Sequence, residues 1–146
     1  MKLNILAIIV ACFYFLTSCH TGPKGRIFTG IYDTTKYKLV NTQYDTSGKK
    51  FLEIYRYNFD TSHFYLKNYW DNGNIQALIF FYGKKKFGPA KTYDMNGQLL
   101  FEGTYINNIA MGVQLYYNAG NLSDFFVYYN GKELPIDSTE KKLIFR

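Results

Sequence analysis

Tyr69-Trp70-Asp71-Asn72-Gly73-Asn74-Ile75 returns later in the chain as Tyr93-Asp94-Met95-Asn96-Gly97-Gln98-Leu99, and again as Tyr116-Tyr117-Asn118-Ala119-Gly120-Asn121-Leu122. Gly73, Gly97 and Gly120 are spaced by 24 and 23 residues. A second mark keeps the same register: Phe81-Tyr82-Gly83-Lys84, then Tyr105-Ile106-Asn107-Asn108, then Tyr128-Tyr129-Asn130-Gly131. A third follows it, Gly88 and Gly112, again 24 residues apart. Three landmarks in one register define a repeated supersecondary unit. Asn-Gly and Asn-Asn supply the φ > 0 conformations that two-residue hairpin turns require. Each copy therefore reads as two short strands and two tight turns, with Gly88 and Gly112 marking a bulge or close approach inside the return strand. With 15 Tyr and 13 Phe against one Trp, the chain is rich in strand-forming aromatics. No clean helical stripe competes with this reading beyond the N-terminal apolar stretch. The predicted fold is all-β, an elongated twisted antiparallel sheet of repeated β-hairpins in which each copy covers its neighbour's apolar face.

The pattern resembles the bacterial variant of the MORN repeat, loosely Tyr-x-x-Asn-Gly-x-Leu, a spacer, Tyr-x-Asn-Gly-x-x-x-Gly and a short strand back to Tyr. The likeness covers Tyr69 to Lys132, as two full copies and a truncated third. It implies the hairpin sheet but little about activity, since a fold does not fix a function. Some relatives carry a provisional antitoxin label. Upstream, Tyr44-Asp45-Thr46-Ser47-Gly48-Lys49-Lys50 reads as a degenerate or capping copy, with Phe64 in the place of the interior glycine. Residues 27–68 then hold N-terminal strands, of which Ile27 to Val40 makes one or two. Residues 69–132 hold the repeats, and 133–146 a capping strand around Leu143-Ile144-Phe145, guarded by Lys141, Lys142 and Arg146.

The N-terminus carries the other strong pattern. Lys2, an apolar run from Leu3 to Leu16 and the small residues Thr17-Ser18 make a secretory leader over residues 1–18. That run of 14 residues falls short of the roughly 20 that span a bilayer. Leu16-Thr17-Ser18-Cys19 resembles the lipobox of bacterial lipoproteins, which implies cleavage before Cys19 and diacylglycerol on its sulfur. Cys12, in Ile9-Val10-Ala11-Cys12, is the poorer candidate, because cleavage there leaves about six apolar residues where an h-region needs roughly 7–15. Residues 19–26, with Gly22, Pro23 and Gly25, then form a lipidated tether. The resemblance implies a covalent lipid on Cys19 and no other cofactor.

Removal of Lys2 with the leader lowers the formal charge from +6 to +5. That balance suits an anionic lipid or glycan surface; nucleic acid is a poor partner for an exported protein. After Cys19 there is no cysteine, hence no internal disulfide and no thiolate metal site. His20 belongs to the tether and His63 lacks a second histidine, so neither a metal pair nor a nucleophile-base couple forms. Asp71 and Asp94 precede turns, where a carboxylate ordinarily bonds the backbone, and Glu102 and Asp124 lie on first strands. No catalytic or metal site is expected.

The candidate binding residues are the recurring aromatics Tyr82, Tyr105 and Tyr128, with Tyr93 and Tyr117 in the same series, and Lys84, Lys85 and Lys86 at a hairpin tip. Gly73, Gly88, Gly97, Gly112, Gly120 and Gly131 are expected to be structural. The function expected is that of a non-enzymatic, membrane-anchored lipoprotein, a binding or scaffolding module with a protein partner. Its place is the outer membrane, periplasmic face, because His20 follows the cysteine where aspartate would retain it at the inner membrane. The alternative is an immunity or antitoxin-type protein that neutralises an envelope-acting toxin.

Overall fold

The computed structural model describes residues 32–137. The leader, Cys19, the tether and the strand expected around Leu143–Phe145 lie outside them. A 3₁₀ turn, Thr34–Lys36, is capped by the Asp33 carboxylate and leads into one antiparallel sheet. Its strands are β1 (Tyr37–Tyr44), β2 (Lys50–Tyr57), β3 (His63–Tyr69), β4 (Ile75–Tyr82), β5 (Lys85–Tyr93), β6 (Leu99–Ile106), β7 (Ile109–Asn118), β8 (Asn121–Tyr129) and β9 (Lys132–Leu134). They pair in chain order, a meander without a crossover. Among the described residues the first strand starts at Tyr37, behind a helical turn; the part of the Ile27 to Val40 expectation that precedes Tyr32 lies outside them.

Hairpin turns alternate between two ends of the sheet. The upper end holds residues 45–49, 70–74, 94–98 and 119–120; the lower end holds 58–62, 83–84, 107–108 and 130–131. The expectation of two-residue turns throughout needs correction. Asn107 and Asn108 both have positive φ, as do Asn130 and Gly131, and Ala119 and Gly120, which is the two-residue type I′ pattern. At Asn72-Gly73 and Asn96-Gly97 only the glycine does. There the Gly73 N–H donates to the Trp70 carbonyl and the Gly97 N–H to the Asp94 carbonyl. The register shifts next to these turns complete a type I turn with a glycine bulge. The Asp94 carboxylate stabilises this longer loop by accepting the Asn96 and Gln98 N–H groups at 2.9 and 2.8 Å.

Alternation along the strands defines two faces. On the front face Tyr37, Tyr65 and Phe80 are buried, with Tyr32, Tyr55, Tyr57 and Leu78 packed around them. Rings meet edge to face, Tyr37 on Tyr65 at 5.0 Å and Tyr32 on Phe80 at 5.4 Å, the arrangement an aromatic quadrupole prefers. Burying a ring such as Phe80 contributes roughly 1.5–3 kcal/mol. Further along, Phe125 and Val127 are buried on the same face. The back face is built on small residues: Ala90 pairs with Gly103, and Ala77 is buried beside them. Gln114 lies over Gly103 and donates to the Thr104 and Met111 carbonyls, each at 3.1 Å. A β-carbon on Gly103 would stand 1.8 Å from Gln114 Oε1, so only glycine fits there.

The interior glycines do what their position in the return strand suggests. Between Ile79↔Ala90 and Phe81↔Lys86 the β5 strand carries extra residues around Gly88, and β7 does the same around Gly112. Gly88 adopts φ +109° and lets the Tyr32 ring lie against its backbone.

Candidate functional site

The bulges explain why the recurring aromatics do not form one row. Tyr105 stands opposite Gly88, and Tyr128 opposite Gly112, both on the back face. The residue equivalent to them is Phe81, not Tyr82. It stands opposite Phe64, the substitute for the interior glycine, and stacks on it at 5.1 Å with the rings 3° apart. Tyr82 points to the front face instead, and its repeat equivalents are Ile106 and Tyr129. The lysine run divides as well. Lys84 lies in the turn, Lys85 opens β5 beside it, and Lys86, the next residue of β5, places its ammonium 5.2 Å from the Tyr105 ring centroid. Of the three, only Lys84 lies in the hairpin turn itself.

Reassigned in this way, the front-face residues around the lower turns form an apolar rim with His63, Lys85 and Lys132 among them. Phe59 packs on Tyr57 at 5.4 Å, and His63 lies 4.6 Å from Tyr82. Phe87 meets Tyr82 at 6.0 Å. Ile106 pairs with Ile109 across the next turn, and Ile109 reaches the Gly131 turn below Tyr129. Phe59 is 80% exposed and Tyr129 67%, while Tyr82, Ile106 and Ile109 each keep more than 40% of their surface in water. The backbone beneath is stitched together. The N–H groups of Asn58, Gly83, Asn108 and Gly131 donate to the carbonyls of Lys36, Ser62, Lys86 and Ala110, at 2.8–3.2 Å. Each lower turn thus hangs on the one before it.

The upper turns are linked by side chains. Trp70 Nε1 donates to the Tyr93 carbonyl at 3.0 Å, and the Asn72 and Asn74 amides both donate to the Met95 carbonyl. Trp70 occupies the repeat position of Asp45 and Asp94, so Asp71 is an exposed turn residue and not the equivalent of Asp94.

A cluster on the front face escaped the sequence reading. Glu53 is 8% exposed and accepts from Lys50 Nζ at 2.9 Å, from the Tyr55 hydroxyl at 2.9 Å and from the Tyr69 hydroxyl. Lys50 Nζ also lies 4.0 Å from the Tyr69 ring centroid, and Lys67 Nζ 4.9 Å from that of Tyr55. Burial works against the Glu53 charge, but the three donors outweigh it and hold the carboxyl below its ordinary pKa. Burial, with the hydrogen bond to that carboxylate, pushes the Tyr55 phenol up to about 12 and raises Tyr69 too. A signal existed in the every-second spacing of Glu53, Tyr55 and Tyr57, but the partner Tyr69 is supplied by strand pairing 16 residues away.

Several other carboxylates are engaged structurally. Asp45 caps its turn as Asp94 does, Asp60 contacts His63 Nδ1 at 2.9 Å, and Glu102 pairs with Lys91 at 3.2 Å. Among the described residues no three His, Cys, Asp or Glu side chains form a metal-binding group, and no helix is long and apolar enough to cross a membrane.

No family model and no curated protein matches the chain. Among solved structures, the crystal structure of TarM matches with a TM-score of 0.45 at 14% identity, over 86% of this chain and 26% of that one. The crystal structure of an S. aureus TarM mutant in complex with Fondaparinux, alpha-GlcNAc-glycerol and UDP matches with a TM-score of 0.47 at 14% identity, over 84% of this chain and 27% of that one. The chain spans about a quarter of the length of either structure. Likeness this distant brings no activity with it.

Proposed function

We propose that the protein is a non-enzymatic, lipid-anchored binding module of a bacterial envelope. In this reading it is built from MORN-like hairpins and held by a lipid on Cys19 to the periplasmic face of the outer membrane. The back face docks a protein partner. The observation that carries the reading is the aromatic row on that face. Phe101 lies 5.1 Å from Tyr116, and Tyr116 lies 5.5 Å from Phe126, edge to face. Tyr116, at the centre of the row, keeps 38% of its surface exposed although it is a large ring in mid-strand. Rigid aromatic anchors of this kind dominate protein interfaces. Against the alternative use of the sheet, catalysis, stands that Glu53, Asp45, Asp94 and Glu102 spend their oxygens on hydroxyls, turns or cations.

A photo-crosslinking residue in place of Tyr116, in the full chain expressed in an envelope-bearing host, tests the reading. One discrete adduct that disappears when Phe101 and Phe126 are changed to Ser is expected. Turnover of an envelope glycan or lipid by the purified protein would overturn it.

A further inference from the structure

The sheet has a polarity that its repeats alone do not require. Strand β1 runs upward from Tyr37, so the chain that precedes the sheet joins it at the lower end, beside Tyr57 and the apolar rim. Strand β9 starts at the lower turn at Lys132 and runs away from the rim. The lower end is also the basic one. It holds Lys36, Lys84, Lys85, Lys86 and Lys132 against Asp33, Asp60 and Glu133, whereas the upper end holds Lys49 and Lys50 against Asp45, Asp71 and Asp94. Two of the lower acids are already occupied, Asp33 with Lys36 at 3.8 Å and Asp60 with His63. Among the described residues no carboxylate forms an ion pair with Lys84, Lys85 or Lys132.

Resting on the reading of Cys19 as the lipidated residue, we infer that the lower rim is a bilayer-contact surface that stands the sheet end-on against anionic headgroups. Exposed Phe and Tyr rings suit the depth of the headgroups, where one side of the ring is wet and the other apolar. Lysines beside such rings are attracted to an anionic leaflet, and their contributions add. The chain between Cys19 and Tyr32 reaches at most about 45 Å when extended. That reach alone sets no orientation for the domain, and acyl anchoring is commonly reinforced by such a basic patch. The rim has the rigidity to serve, because its four turns are hydrogen-bonded in series. The back face then stands perpendicular to the membrane, with its aromatic row open to a partner.

Trp70, the only tryptophan, lies in an upper turn, a strand length of about 25 Å from the rim. It is a built-in reporter. The full lipidated chain is reconstituted in phosphatidylethanolamine–phosphatidylglycerol vesicles containing a headgroup nitroxide lipid. Emission is compared between wild type and two rim probes, Phe59→Trp and Tyr129→Trp, each in a Trp70→Phe background. Quenching several-fold stronger at both rim probes than at Trp70 is expected, falling when Lys84→Glu and Lys85→Glu are added or when phosphatidylglycerol is replaced by phosphatidylcholine. Equal quenching at both ends, stronger quenching at Trp70, or quenching indifferent to anionic lipid overturns the inference. So does a rim left unquenched because residues 20–31 or a second copy cover it. Co-flotation with the vesicles separates the two readings. Protein that floats without rim quenching refutes the rim and leaves the anchor standing. Protein that does not float refutes the anchor, and the inference with it.

Discussion

Gly88→Ala tests how the repeat is joined to the segment before the sheet. Two costs add at this position. Gly88 has φ +109°, outside the left-handed region that other residues tolerate, and holding a side chain there costs about 1–3 kcal/mol. The added β-carbon would also stand 2.2 Å from Tyr32 Cε1 and 2.9 Å from Cζ. The ring has to leave, and with it goes the edge-to-face contact with Phe80, worth about 0.5–1.5 kcal/mol. Together the loss is roughly 2–4 kcal/mol, which for a domain of this size lowers Tm by about 10–30 °C. Gly112→Ala is the control: φ is +69° and nothing lies within 4 Å, so only a left-handed backbone cost of about 1–2 kcal/mol applies. Urea titrations of both variants, repeated in a Tyr32→Ala background, separate the terms. Gly88→Ala is expected to cost less when Tyr32 is already gone. An equal cost in both backgrounds would refute the close approach of Tyr32 to this backbone.

Gly103→Ala places its β-carbon 1.8 Å from Gln114 Oε1 and should cost about 2–4 kcal/mol, partly restored by Gln114→Ala; chemical denaturation reads both. Gly97→Val meets open space but keeps φ +83°, so its cost should be about 1–3 kcal/mol, of backbone origin alone, and Gly97→Asn should recover most of it. Because the Glu53 pKa is lowered in the fold, its contribution is complete above the ordinary carboxylate range and is lost as pH falls through the lower folded value. The phenols behave oppositely: with Tyr55 raised to about 12, its contribution is present below pH about 10 and is lost as pH rises through the folded value. Glu53→Gln should therefore flatten both limbs of a stability–pH profile, and a profile that keeps its acid limb unchanged would remove Glu53 as the cause.

Much of this architecture was legible before any coordinates, and the limits have physical causes. Spacing of Gly73, Gly97 and Gly120 located the upper turns because a left-handed residue must fall at the same place in each hairpin. It did not distinguish a two-residue turn from a type I turn with a bulge, since both want glycine at that place. Asp45 and Asp94 carry a local signal, because each carboxylate bonds two N–H groups in the longer loop, but the turn at Trp70 adopts that loop without an aspartate there. Recurrence marks Tyr82, Tyr105 and Tyr128 as one series, but the extra residues at Gly88 and Gly112 and the one-residue offset between Phe81 and Tyr82 divide them between the two faces. Counting parity from each turn separates Tyr82, Ile106 and Tyr129 from Tyr105 and Tyr128, and with that the rim becomes visible. The Glu53 cluster was beyond such counting. It belongs to the degenerate copy, where β2 and β3 pair without a bulge and Tyr69 arrives from the next strand.

The claim on which the rest depends is that this sheet is carried at the membrane by Cys19. Mass spectrometry of the N-terminal peptide, from protein extracted with detergent out of an envelope-bearing host, measures it directly. The expected species begins at Cys19, lacks residues 1–18 and carries diacylglycerol on the sulfur. A peptide with free Cys19, or one that retains the leader in mature protein, would contradict it.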